Sequence, residues 1–154
     1  RTEDSRDLVW NEAFRLLTSA DSKIGEAATV IVANRMQSKP NKYNEYIRME
    51  LKTFQPAHKI SVKQGYRKNW HFLSRAMPYG SEYEYDFMTF DSYDSMAQMA
   101  KATPANVWQD AHPDKDIEAM WAELNPEKLR TLMRGEVWKN VIYANGTDKR
   151  MAKK

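Results

Sequence analysis

Cysteine is absent from this chain of 154 residues, which excludes disulfides, thiolate zinc sites, iron–sulfur ligation and a cysteine nucleophile. Glycine is scarce at five, and no phosphate-cradling loop, Rossmann fingerprint or nucleophilic-serine motif is visible. The longest apolar run, residues 27–33, falls far short of the ~20 residues a membrane helix needs. A signal-peptide pattern is also missing, and the chain starts with Arg1 rather than Met, so its true start is read as lost. A concentrated basic surface is lacking too. The formal net charge is +3, yet Lys149, Arg150, Lys153 and Lys154 sit in the last six residues, and without them 20 basic residues face 21 acidic ones. Phosphate neutralisation supplies most nucleic-acid affinity, so a polynucleotide partner is not expected. The best basic cluster, Lys59, Lys63, Arg67 and Lys68, falls at a predicted helix end, where cations meet the helix dipole favourably.

What is present suits one folded domain. Hydrophobic residues make up 42%, with five Trp, eight Tyr and five Phe, enough for a real core at this length. Residues 4–17 read as a helix, with Leu8, Phe14 and Leu17 on one face. Residues 27–36 are rich in β-branched side chains and read as a central strand. From Tyr43 an apolar stripe runs through Ile47, Leu51, Phe54, His58 and Val62, the spacing of a helix. Pro56 should kink that helix and Gly65 should end it. Residues 70–77 and 83–93 read as strands joined by turn chemistry at Pro78, Tyr79 and Gly80. Asp94 or Ser95 starts a helix to about residue 102, and Thr103-Pro104 opens another. Residues 116–124 are helical, Asn125-Pro126-Glu127 caps one more helix, and residues 136–144 form a last strand. After the first helix the order is β-α-β-β-α-β, the ferredoxin-like split βαβ arrangement: an α+β fold with a four-stranded antiparallel sheet. Residues 1–25 form an N-terminal segment, 26–148 the domain and 149–154 a basic tail.

An internal echo links the two ends. At an offset of 124, Arg6, Leu8 and Glu12 recur as Arg130, Leu132 and Glu136, Phe14-Arg15 meets Trp138-Lys139, and Ala20 meets Ala144. A repeat of this size is one ferredoxin-like unit. On that reading residues 1–25 are the tail of a preceding repeat, and residues 5–17 end as strand rather than helix.

The long helix with Phe54, Pro56, His58 and Gly65, the strand opening at Trp70, the Pro78-Tyr79-Gly80 turn, the Tyr85-Asp86 strand and the closing Arg130, Leu132, Glu136 and Trp138 resemble poorly characterised bacterial members of the dimeric α+β barrel superfamily. The likeness covers roughly residues 28–144. It implies two sheets paired face to face, in a homodimer or between tandem repeats. That superfamily holds cofactor-independent monooxygenases, small decarboxylases and dehydratases, haem-degrading enzymes and pure ligand binders. None of their catalytic motifs is complete here, and fold alone does not choose among them.

His58 is the leading candidate site residue. Its place on the apolar stripe aims it at the sheet, where a neutral imidazole suits a general base. Haem ligation through it has no second signature in support, and no cofactor is expected. Trp70 and Tyr85, on neighbouring strands, are expected to flank the same space with Phe54 and Trp108, and Arg75 to hold an anionic group at one end. His112, Asp114 and Asp116 are metal-type ligands, but Pro113 interrupts them and Asp116 is explained as a helix cap, so no metal is expected. The resulting expectation is a small-molecule-binding protein for an apolar or aromatic molecule, either a cofactor-independent oxygenase- or isomerase-like enzyme with His58 as base, or a non-catalytic ligand-binding or assembly module.

Overall fold

The computed structural model describes residues 12–21, 27–78, 83–101 and 103–141. Among them the chain forms β1 (Ala13–Ser19), β2 (Val30–Ser38), α1 (Tyr43–Met49), a π-helical turn (Glu50–Phe54), α2 (Gln55–Lys63), β3 (Asn69–Met77), β4 (Phe87–Tyr93), α3 (Met96–Met99), α4 (Asn106–Ala111), α5 (Ile117–Leu124), a 3-10 turn (Pro126–Lys128) and β5 (Arg130–Lys139). One antiparallel sheet has the order β1-β3-β4-β2-β5. This α+β architecture is compatible with the ferredoxin-like class. β2 and β4 pair without a break from Val30 opposite Tyr93 to Met36 opposite Phe87, a central register set by Val, Ile and Phe on a pleated surface. No described helix is long and apolar enough to cross a membrane.

The described sheet has five strands, not four. The extra strand is β1, within the segment whose apolar spacing suggests a helix. Phe14 and Thr18 favour strand while Leu16 and Leu17 favour helix, and pairing with β3 from Met77 to His71 decides the matter. The rest of that expected helix, up to Asn11, lies outside the described residues, as do most of the 78–81 turn, the end of the residue-102 helix and the basic tail. β5 is the second difference. It begins at Arg130, so residues 130–135, read as the end of a helical region, are strand paired to β2.

The long helix forms as expected from Tyr43 to Lys63, but a π turn interrupts it. Pro56 lies in the first turn of α2, just after that turn, where the missing proline N–H coincides with a break in the α ladder. The buried positions are Tyr46, Met49, Glu50, Thr53, Ala57 and Ser61, whereas Tyr43 and Leu51 are exposed. The buried stripe therefore lies beside the apolar one. Gly65 ends the helix at φ 77°: Gly65 N–H donates to the Val62 carbonyl at 3.0 Å and Tyr66 N–H to the Ser61 carbonyl at 2.9 Å, the Schellman closure that favours glycine.

The sheet separates two cores. On its helix-covered face Met36, Trp70, Phe72 and Phe87 pack with Tyr46 and Met49, joined by Phe54, Leu124 and Leu129. The other face carries Ala33, Tyr85 and Met88 with Phe14, Leu73 and Phe90, and no helical residue.

Candidate functional site

Alternation along β3 sends Trp70 and Phe72 to the helices and Leu73 to the open face, as a strand must. Glu50, Phe54 and His58, four positions apart along the helix, share one face and meet Trp70 around one space. A cavity of about 230 Å³ results, lined by Glu50, Phe54, His58, Trp70, Asn34 and Arg130 among others. π turns inside α-helices often mark functional sites.

The His58 ring stacks on Trp70 with centroids 4.3 Å apart and lies 6.4 Å from the Phe54 ring. Burial, reinforced by the nearby Arg67 charge, lowers its pKa well below the ordinary value and keeps the imidazole neutral. Among the described residues its ring nitrogens make no hydrogen bond. Glu50 is almost fully buried, and burial pushes its carboxyl up to about 7, against the opposing pull of the Tyr46 hydroxyl and the Arg130 charge. Burial, and then Glu50, keep the Tyr46 phenol protonated; its hydroxyl donates to the Met36 sulfur at 2.9 Å. Arg130 brings a buried Nε without a hydrogen-bond partner. Asp91 closes the far end: Asn34 donates to its Oδ2 at 3.2 Å, and Arg67 pairs with it while donating Nε to the Ser61 hydroxyl at 3.1 Å. Burial raises the Asp91 pKa despite that pairing.

The expected site residues thus divide. Phe54, His58 and Trp70 come together, and Trp108 stands behind them, edge-on to Phe54 at 5.5 Å. Arg75 and Tyr85 do not join them. They line a second cavity across the sheet, of about 420 Å³, with Glu12, Arg35, Tyr83 and Arg134. Tyr85 departs from the expected strand because Asp86 pins the chain first: its N–H donates to the Met36 carbonyl at 2.9 Å and its Oδ2 accepts from the Ser38 hydroxyl at 2.5 Å. Regular alternation starts only at Phe87, and Tyr85 falls on the face opposite Phe87. His112 is committed elsewhere, its Nε2 3.0 Å from the Thr53 carbonyl, and Asp116 caps α5 by accepting from Glu118 N–H and Ala119 N–H. No group of three or more His, Cys, Asp or Glu among the described residues could hold a metal. In the basic cluster, Arg67 pairs with Asp91 and Lys68 with Asp94.

Glu50, Arg130 and Asn34 were not among the expected site residues. The available signal was a second helical stripe, Tyr46, Glu50, Thr53 and Ala57, whose polar members hide it from a search for apolar periodicity. Compared with protein-family models, curated proteins and solved structures, the chain matches none.

Proposed function

We propose that the helix-side cavity is a proton-transfer site and that the protein is a cofactor-independent, isomerase- or oxygenase-like enzyme acting on a small apolar or aromatic molecule. The observation that supports this reading is the meeting of Glu50, His58 and the unpartnered Arg130 Nε at one small cavity. Neutral imidazole accepts a proton from an acidic C–H or O–H of the bound molecule. Arg130 Nε donates a hydrogen bond to the oxygen on which negative charge then develops, and the protonated Glu50 carboxyl returns a proton at neutral pH. Trp70 and Phe54 supply flat walls, and an apolar cavity of about 150 Å³ already suffices for benzene, so a single-ring substrate fits.

Deuterium exchange tests the reading directly. Incubated in D₂O with phenylacetone, the protein should exchange the benzylic protons faster than buffer does, and His58→Gln and Glu50→Gln should each abolish the excess. Binding without exchange, or exchange untouched by either substitution, would leave a non-catalytic ligand-binding module as the better reading.

The same proposal includes assembly. Phe14, Leu73, Phe90 and Trp138 lie on or beside the open face with no described helix over them. β1 and β5, the two halves of the sequence echo, occupy its opposite edges. A second copy of this chain is the occupant that both the echo and the uncovered face favour.

A further inference from the structure

The open-face cavity holds two charged side chains of opposite sign, each with a buried atom left without a hydrogen bond. The atoms are Nη1 of Arg75 and Oε1 of Glu12, and both side chains line the cavity. Their other contacts fix both in place. The Arg75 guanidinium carbon lies 4.2 Å from the Tyr83 ring centroid and 5.2 Å from that of Tyr85, while Glu12 Oε2 accepts from the Tyr85 hydroxyl. The remaining cations are engaged: Arg35 meets Glu136 at 2.5 Å and Arg134 meets it at 2.6 Å. Burial of a charged atom without its hydrogen bond is costly, and here both costs fall on side chains that line one space of about 420 Å³, within the usual size of small-molecule sites.

We propose that this cavity binds a small zwitterion of the amino-acid class, its carboxylate on Arg75 and its ammonium on Glu12. A carboxylate accepts from a guanidinium with good geometry, and an ammonium offers the donor that Glu12 Oε1 lacks. The Tyr85 ring, stacked on Phe14 at 6.4 Å and facing Arg75 and Arg35, holds the guanidinium that meets the carboxylate. A molecule with one pole satisfies one side chain and leaves the other buried and unmet, so selectivity for both poles follows from the pair. This site is on the opposite side of the sheet from Glu50 and His58 and does not depend on their chemistry.

Calorimetric titration of the full chain tests the proposal with leucine and phenylalanine, each beside its one-pole relatives: 4-methylpentanoate and isopentylamine, 3-phenylpropanoate and phenethylamine. At least one amino acid should bind, with both of its one-pole relatives at least ten-fold weaker. Arg75→Met and Glu12→Gln should each weaken binding at least ten-fold. Because Arg75→Met deletes an unmet donor, its melting temperature without ligand should be no lower than that of the parent, which shows that the variant is folded. His58→Gln should bind as the parent does. No binding by either amino acid, equal binding by a one-pole relative, unchanged affinity in the Arg75 and Glu12 variants, or loss in His58→Gln would each overturn the assignment.

Discussion

Glu50 and His58 bracket neutrality from opposite sides, and the signs can be followed separately. The Glu50 carboxyl titrates near 7 in the fold and near 4.5 when unfolded. The unfolded chain therefore releases its proton first, and stability falls as pH rises from about 4.5 to 7, by about 3 kcal/mol in all. Glu50→Gln should raise the melting temperature at pH 8, with the gain vanishing near pH 4; an equal gain at both values would mean that Glu50 is not held in its neutral form. His58 works in the other direction. Its lowered pKa means that the unfolded chain takes up a proton first as pH falls through about 6.5, so this contribution is lost on the acid side. Its ring carbon proton should keep the chemical shift of neutral imidazole as the pH falls through 6.5 in NMR, and a titration midpoint at 6.5 would contradict the burial described. Around neutrality the cavity therefore holds an uncharged base beside an acid that is about half protonated.

The long helix illustrates what an element adds to its residues. Tyr43, Ile47, Leu51, Phe54, His58 and Val62 predict a helix correctly, but the buried stripe runs one position earlier, through Tyr46, Glu50, Thr53, Ala57 and Ser61, on both sides of the π turn. Nothing in apolar spacing signals such a shift, which is why Glu50 was not legible while Phe54, His58 and Trp70 were. Strand alternation was read correctly along β3 and failed at Tyr85, because Asp86 makes its bonds to β2 before the ladder begins. The cap at Asp116 and the glycine stop at Gly65 were legible because each rests on a local hydrogen-bond pattern. At this scale the Arg67–Asp91 pair joins the chain after α2 to β4 with both side chains mostly buried. Arg67→Met leaves Asp91 without its cation and should cost about 3–5 kcal/mol in urea unfolding at pH 7. The loss should shrink at pH 4, where Asp91, its pKa raised by burial, takes up a proton. A loss that does not depend on pH would assign Arg67 a packing role only.

For the whole molecule, the sheet face that no described helix covers is where the proposed pairing is tested. Leu16 is 47% exposed and Trp138 38%, and the rings of Trp138 and Phe90 lie 5.6 Å apart. Light scattering on the full chain should give twice the mass of one chain, and Trp138→Glu should halve it without lowering the helical signal in circular dichroism. A parent of single-chain mass would refute pairing between copies. The uncovered face was foreseeable from the count of apolar strand residues; the place of β1 was not, since that depends on β3, more than fifty positions further along the chain.

Strand connectivity also constrains how this protein acquires its shape. β2 pairs with β5 across about a hundred residues, Ile31 meeting Trp138, and β1 reaches β3 with Phe14 opposite Arg75; only β3 and β4 are joined by a short connection. Such contact order slows the search for the native state, because distant segments must be brought together before their bonds reward the loss of chain entropy. During synthesis β2 keeps a bare edge until residues 130–139 have left the ribosome. The helix-side cavity, which takes Arg130 and Leu132 from that last strand, is among the latest parts of the molecule to exist.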